Sequence, residues 1–109
     1  MVNSTVIIDF QKRGFEGKVF SGRRRGELAR DEFDLDSLDK KNVKVQVIVP
    51  SSLFSLTSSF FLGMFGPTLR SLDSKSQFQS KYHFEGPATI LEEVNQYIDT
   101  ELRRSVKHS

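Results

Sequence analysis

Residues 43–57 read Val-Lys-Val-Gln-Val-Ile-Val-Pro-Ser-Ser-Leu-Phe-Ser-Leu-Thr and run on into Ser58-Ser-Phe-Phe-Leu-Gly-Met-Phe-Gly66. The first seven alternate apolar and polar side chains and then become continuously apolar, the pattern of a strand passing from a sheet margin into a covered centre. Pro50 stops that strand because it has no N–H for the ladder. After a serine-rich loop, Ser58 or Ser59 suits a helix N-cap, and Phe61, Phe65, Leu69 and Leu72 then recur on one helical stripe. Gly63, Gly66 and Pro67 predict a kink or break near Phe65, tolerable where the glycines let the helix lie close on the sheet.

No charged side chain occurs between Val45 and Leu69, whereas both flanks are dense in Lys, Arg, Asp and Glu. A membrane helix needs about 20 predominantly apolar residues. Here Pro50, Pro67 and the intervening serines divide the stretch into strand, loop and helix, so no membrane span is expected.

Towards the amino terminus, residues 5–10 (Thr-Val-Ile-Ile-Asp-Phe) form a β-branched run suited to a strand. Gly14 and Gly17 allow a reversal into residues 18–20, which predicts an opening hairpin. Ser21 or Gly22 can cap a short helix with Leu28, Ala29 and Phe33 as its apolar edge, behind the basic turn Arg23, Arg24 and Arg25. Residues 34–42 are polar apart from Leu35 and Leu38 and read as a connection.

Towards the carboxyl terminus, residues 73–76 read as a polar turn, and Phe78, Tyr82 and Phe84 at even spacing predict a half-buried strand over 77–84. Pro87 suits the first position of a final helix, for which Thr89 and Glu92 offer an alternative capping box. Leu91, Val94, Ile98 and Leu102 supply its stripe, and Arg103, Arg104 and Lys107 complement its dipole. The tail over 105–109 is expected to fray.

Together these segments predict one α/β domain over residues 1–109, a small mixed β-sheet covered by helices, with a parallel crossover from residue 43 onward. A length of 109 residues suits a single core.

Composition narrows the function. The 16 basic and 14 acidic residues leave a net charge of +2 and are interspersed, so charge makes no case for nucleic acid. The absence of cysteine excludes disulfides, thiolate metal sites and a cysteine nucleophile. The first residues lack the basic-then-apolar order of a secretory leader, which predicts a cytoplasmic protein. His83 and His108 stand in no metal-ligand or relay spacing, Asp9 has no motif-placed second acid, and no glycine-rich phosphate loop is present. His83 is out of phase with Tyr82 and Phe84, which assigns it to a solvated face. A non-enzymatic protein without cofactor or metal is therefore expected.

The order from Ser51 to Gly66 resembles the signature region of the anti-sigma-factor-antagonist (STAS) superfamily, in which a strand ends in Asp-x-Ser and Asp-Ser-Ser-Gly opens a helix. Ser51 stands at the earlier serine place, and Thr57, Ser58, Ser59 and Phe60 stand at the last four. The Ser-Ser-Phe variant, with Phe65-Gly66 further along, is more similar to the STAS-like branch of bacterial proteins than to the classical antagonists. Val49 and Thr57 replace the two acidic residues of the antagonist motif.

The resemblance implies reversible binding to a kinase-like ATPase or an anti-sigma-type regulator, switched by phosphorylation at the helix start. Ser58 aligns with the phosphorylated place, flanked by Ser59 and Thr57. A phosphoryl group adds about −1.5 to −2 charges at pH 7, enough to disturb an interface. Ser51, Ser52 and Ser55 would line the partner surface. Phe60 and Met64 are expected on an exposed edge of the aromatic helix, open to a partner or to a second copy in a homodimer. The alternative reading is a nucleic-acid or nucleotide-binding accessory protein that uses the guanidinium groups of Arg23, Arg24 and Arg25.

Overall fold

The central strand is β3 (Lys44–Ile48), as the alternating run predicts. In this computed structural model, which describes residues 4–72 and 74–106, β3 lies between β1 (Thr5–Asp9) and β5 (Tyr82–Glu85). Both pairings are parallel, with Val6 beside Val45, Val45 beside Tyr82 and Val47 beside Phe84. Two further short strands, β2 (Val19–Phe20) and β4 (Ser55–Leu56), form a separate parallel pair.

Helices supply the connections that parallel strands require. Between β2 and β3 lie α1 (Arg23–Glu32) and α2 (Leu35–Lys40); after β4 come α3 (Ser58–Leu72) and α4 (Lys75–Lys81); α5 (Ala88–Val106) follows β5. The α/β class, with helices packed on a small sheet, is the one expected. No helix among the described residues is long and apolar enough to cross a membrane.

The opening hairpin does not form. Residues 11–13 turn in a 3-10 helix, and Gly14 and Gly17 carry positive φ values of 84° and 108° that lead the chain out of the sheet. β1 therefore pairs with β3 and β2 with β4, and every ladder among the described residues is parallel. An aromatic cluster drives this outcome. Phe10 meets Phe15, Phe20, Phe33 and Phe60 at ring-centroid distances of 5.8, 5.2, 5.5 and 6.3 Å, so Phe20 is buried among helices rather than paired with β1.

Two more expectations change. The segment predicted as one strand over 77–84 is divided between α4 and β5. Ser74 accepts the Gln77 N–H at 3.2 Å and caps α4, while Phe78 and Tyr82, four apart, stack at 5.2 Å. Residues 35–40 form a helix rather than a loop because Leu35 and Leu38 both reach the core.

α3 runs unbroken from Ser58 to Leu72 through Pro67, without the predicted break. Its Phe61, Phe65 and Leu69 stripe is buried as expected, and Phe65 packs on Tyr82 and Phe84 at 5.3 and 5.4 Å. Ala29 of α1 and Phe33 just after it face inward, but Leu28 remains 47% exposed. The carbonyl of Pro87 accepts the Ile90 and Leu91 N–H groups at 3.0 and 3.1 Å, so Pro87 stands at the N-cap, one place before the first helical residue Ala88 rather than at it. Of the tail expected to fray, residues 105 and 106 belong to α5; residues 107–109, with Lys107 and His108, lie outside the described residues.

Candidate functional site

In a parallel sheet the loops beyond the carboxyl ends of the strands are the usual place for a binding site. Here that place is taken by residues 49–59, between β3 and α3. Val49 is held by donating its N–H to the Glu85 carbonyl at 2.8 Å, and Leu53 turns back to the Pro50 carbonyl at 3.0 Å. The chain is then tied down from two sides. Phe54 and Ser55 donate to the Lys18 carbonyl at 2.6 and 3.2 Å, and Thr57 donates to the Phe20 carbonyl at 2.9 Å. From α5, Glu93 accepts the Leu56 N–H at 3.1 Å and the Tyr97 hydroxyl donates to the Leu56 carbonyl at 2.8 Å. Burial first, and then the Glu93 charge, pushes the Tyr97 phenol above its ordinary range.

The result is an anchored bend that projects Phe54, whose side chain is 77% exposed. Ser51 and Ser52 are exposed beside it, and Ser55 is half-buried in β4. Lys18 and Val19 border it, with Val19 43% exposed.

Thr57, not Ser58 or Ser59, caps α3: its carbonyl accepts the Phe61 N–H at 3.0 Å and its hydroxyl accepts the Phe60 N–H at 3.3 Å. The Ser59 hydroxyl lies 3.4 Å from that of Thr57. This arrangement leaves Ser58 and Ser59 exposed in the first turn. Ser58 opens onto a groove of about 300 Å3 between α3 and α5, whose walls include Tyr97, Glu101 and Arg104.

Phe60 and Met64 belong elsewhere. Each is only 1% exposed, with Phe60 packed on Phe20 at 5.4 Å and Met64 facing α1. The exposed edge expected at these two residues is therefore absent, because α1 crosses over that side of α3. The exposed aromatic of this region is Phe54. Its sequence setting, in a loop between Leu53 and Ser55, carries no periodicity that would distinguish it from a core residue.

The three arginines that open α1 have separate surroundings. Arg25 donates to the Glu16 carbonyl at 2.9 Å and sits 5.1 Å from the Phe20 ring centroid, stitching the turn before β2 to α1. Arg24 lies 4.0 Å from Glu27, and Arg23 is exposed. The guanidinium of Arg25 is thereby committed to the fold. His83 is exposed, as expected from its strand phase.

A buried polar network, invisible to motif reading, joins four elements. Arg30 of α1 donates to the Met64 carbonyl at 2.8 Å, the Thr68 hydroxyl at 2.9 Å, Asp36 at 2.7 Å and Asp39 at 2.9 Å. Asp39 also accepts from Thr68 at 2.6 Å and from the Tyr82 hydroxyl. Burial, with the Asp39 carboxylate beside it, pushes the Tyr82 phenol far above its ordinary range. All partners are internal, which makes the network a device of architecture rather than a binding site.

No protein-family model, curated protein or solved structure matches this chain.

Proposed function

We propose that this chain is a STAS-like protein-interaction domain that docks a kinase-like ATPase or anti-sigma-type regulator on the anchored bend of residues 51–59. The observation that carries the reading is Phe54, a large aromatic 77% exposed on backbone fixed to both β2 and α5. Fixed backbone lowers the ordering cost of binding, and an aromatic anchor is the commonest source of interface energy. Ser51 and Ser52 supply adaptable hydrogen bonds around it.

Ser58 gives this surface its switch. It is exposed in the first turn of α3, so a kinase can reach it, and a phosphoryl group there places negative charge at the margin of the docking surface. The domain itself acts by contact, without catalysis or cofactor, in the cytoplasm.

The test is calorimetric titration against purified histidine-kinase-like ATPases and anti-sigma-type regulators of the source organism. Phe54→Ala weakens the binding found by about tenfold or more, and Ser58→Asp weakens it by a similar factor. Unchanged affinity in both variants rejects the reading.

A further inference from the structure

An all-parallel sheet is ordinarily covered on both faces. Here the alternating side chains Val6, Ile8, Val45, Val47, Tyr82 and Phe84 point to the helices, and the opposite set points to solvent. Ile7, on the edge strand β1, is 60% exposed in the middle row of that second face, beside Gln46 of β3, which in turn lies beside His83 of β5. Lys44 lies at one end, while Asp9 and Glu85 flank Ile48 at the other. Thr5, Lys44, Gln46, His83 and Glu85 border an open depression of about 360 Å3 on it.

We propose that this uncovered face is a self-association surface on which two copies of the chain stack sheet to sheet with their strands antiparallel. The charge pattern selects the occupant. A two-fold axis along the ladder direction through the middle row sets Ile7 over Ile7, Gln46 over Gln46 and His83 over His83. The same axis brings each Lys44 over Ile48 of the other copy, between its Asp9 and Glu85. Strands in a sheet are about 4.8 Å apart and stacked sheets about 10 Å apart, a separation that a lysine and a carboxylate side chain span together. The basic end of each copy thus meets the acidic end of the other, while Ile7 meets Ile7 along the β1 side and Gln46 meets Gln46 at the centre. Parallel stacking would exchange β1 and β5 across the interface and would instead oppose Lys44 to Lys44 and Glu85 to Asp9.

Three short strands give a footprint of roughly 250 Å2 per copy from strand spacing and rise, well below the ~800 Å2 per partner of a stable dimer. The association is accordingly weak and concentration-dependent, which suits a domain whose bend over residues 51–59 exchanges partners, as proposed above.

Sedimentation velocity and NMR line widths over a concentration series test the proposal. The wild-type chain shows a reversible monomer–dimer equilibrium. Lys44→Glu and Glu85→Lys each weaken it about tenfold or more while leaving circular dichroism and Tm unchanged, since both residues are exposed. An equimolar mixture of the two variants regains association, because each restores an opposite charge to the other. Ile7→Arg abolishes it. A chain that stays monomeric throughout overturns the proposal. So does self-association insensitive to Lys44→Glu and Glu85→Lys, which would indicate pairing along the β1 edge, or a mixture no stronger than either variant alone. These results are independent of the partner-binding titrations, since none of the substituted residues lies in residues 51–59.

Discussion

Gly26 of α1 and Gly63 of α3 let the two helices cross in direct backbone contact. A Cβ at Gly26 would lie 2.1 Å from the Phe60 carbonyl oxygen, and one at Gly63 would lie 2.3 Å from the Arg23 carbonyl oxygen. The crossing buries Phe60 and Met64 and holds the start of α3 beneath the bend that carries Phe54.

Alanine at either glycine is therefore destabilising, although alanine is the better helix former by about 1 kcal/mol. The obstruction is backbone on both sides, and relief needs the helices to separate. A net loss of about 2 kcal/mol is expected, or a fall in Tm of about 10 °C in thermal denaturation. The double variant loses less than the sum, since the first substitution already parts the helices.

Asp39 holds the buried network together. Removing it by Asp39→Ala leaves the Arg30 guanidinium, 8% exposed, without its main inward carboxylate, and leaves the Thr68 and Tyr82 hydroxyls short of an acceptor. The expected cost is about 3–5 kcal/mol in urea denaturation. Tyr82→Phe keeps the Arg30–Asp39 pair and costs about 1 kcal/mol. A larger loss for Tyr82→Phe than for Asp39→Ala contradicts this ranking.

The raised Tyr82 phenol sets an alkaline limit on stability. Its folded pKa lies above the unfolded value of about 10, so its contribution is complete below about pH 10 and declines as pH rises further, where only the unfolded chain gives up the proton. Urea midpoints measured against pH fall above about pH 10, and Tyr82→Phe flattens that fall. Tyr97, the other tyrosine, is shifted the same way and supplies the residual slope in that variant.

Phe54 and Phe60 lie six positions apart and have opposite roles. Phe54→Ala leaves stability within about 0.5 kcal/mol because the side chain is in water. Phe60→Ala costs about 3–5 kcal/mol because it empties a site between Phe10 and Phe20. Equal unfolding midpoints for the two variants contradict the burial of Phe60.

Local pattern carried much of the fold. The alternation over residues 43–49, the proline that ends it, the stripe of Phe61, Phe65 and Leu69, and the onset of α5 within one residue of Pro87 are properties of neighbouring residues, so periodicity and capping chemistry reveal them in the sequence. The same signals placed a serine-rich loop over residues 51–57 between β3 and α3, but not β4 within it. At Phe78 and Tyr82 the local signal had two readings, since a spacing of four fits a helix and a strand alike, and the Ser74 cap decides for α4 over the first part of the segment.

Pairing and facing were decided only in three dimensions. Whether β1 meets β2 or β3 depends on which surface buries Phe20, and whether Phe60 is a core residue depends on α1 crossing over it through Gly26. Arg30, Asp39, Thr68 and Tyr82 converge from four elements, and nothing in the chemistry of one residue's neighbours announces a partner tens of positions away. The exposure of Phe54 and Ile7 arises in the same manner: a hydrophobic side chain is inside or outside according to what packs over it, and that is a property of the assembled layers.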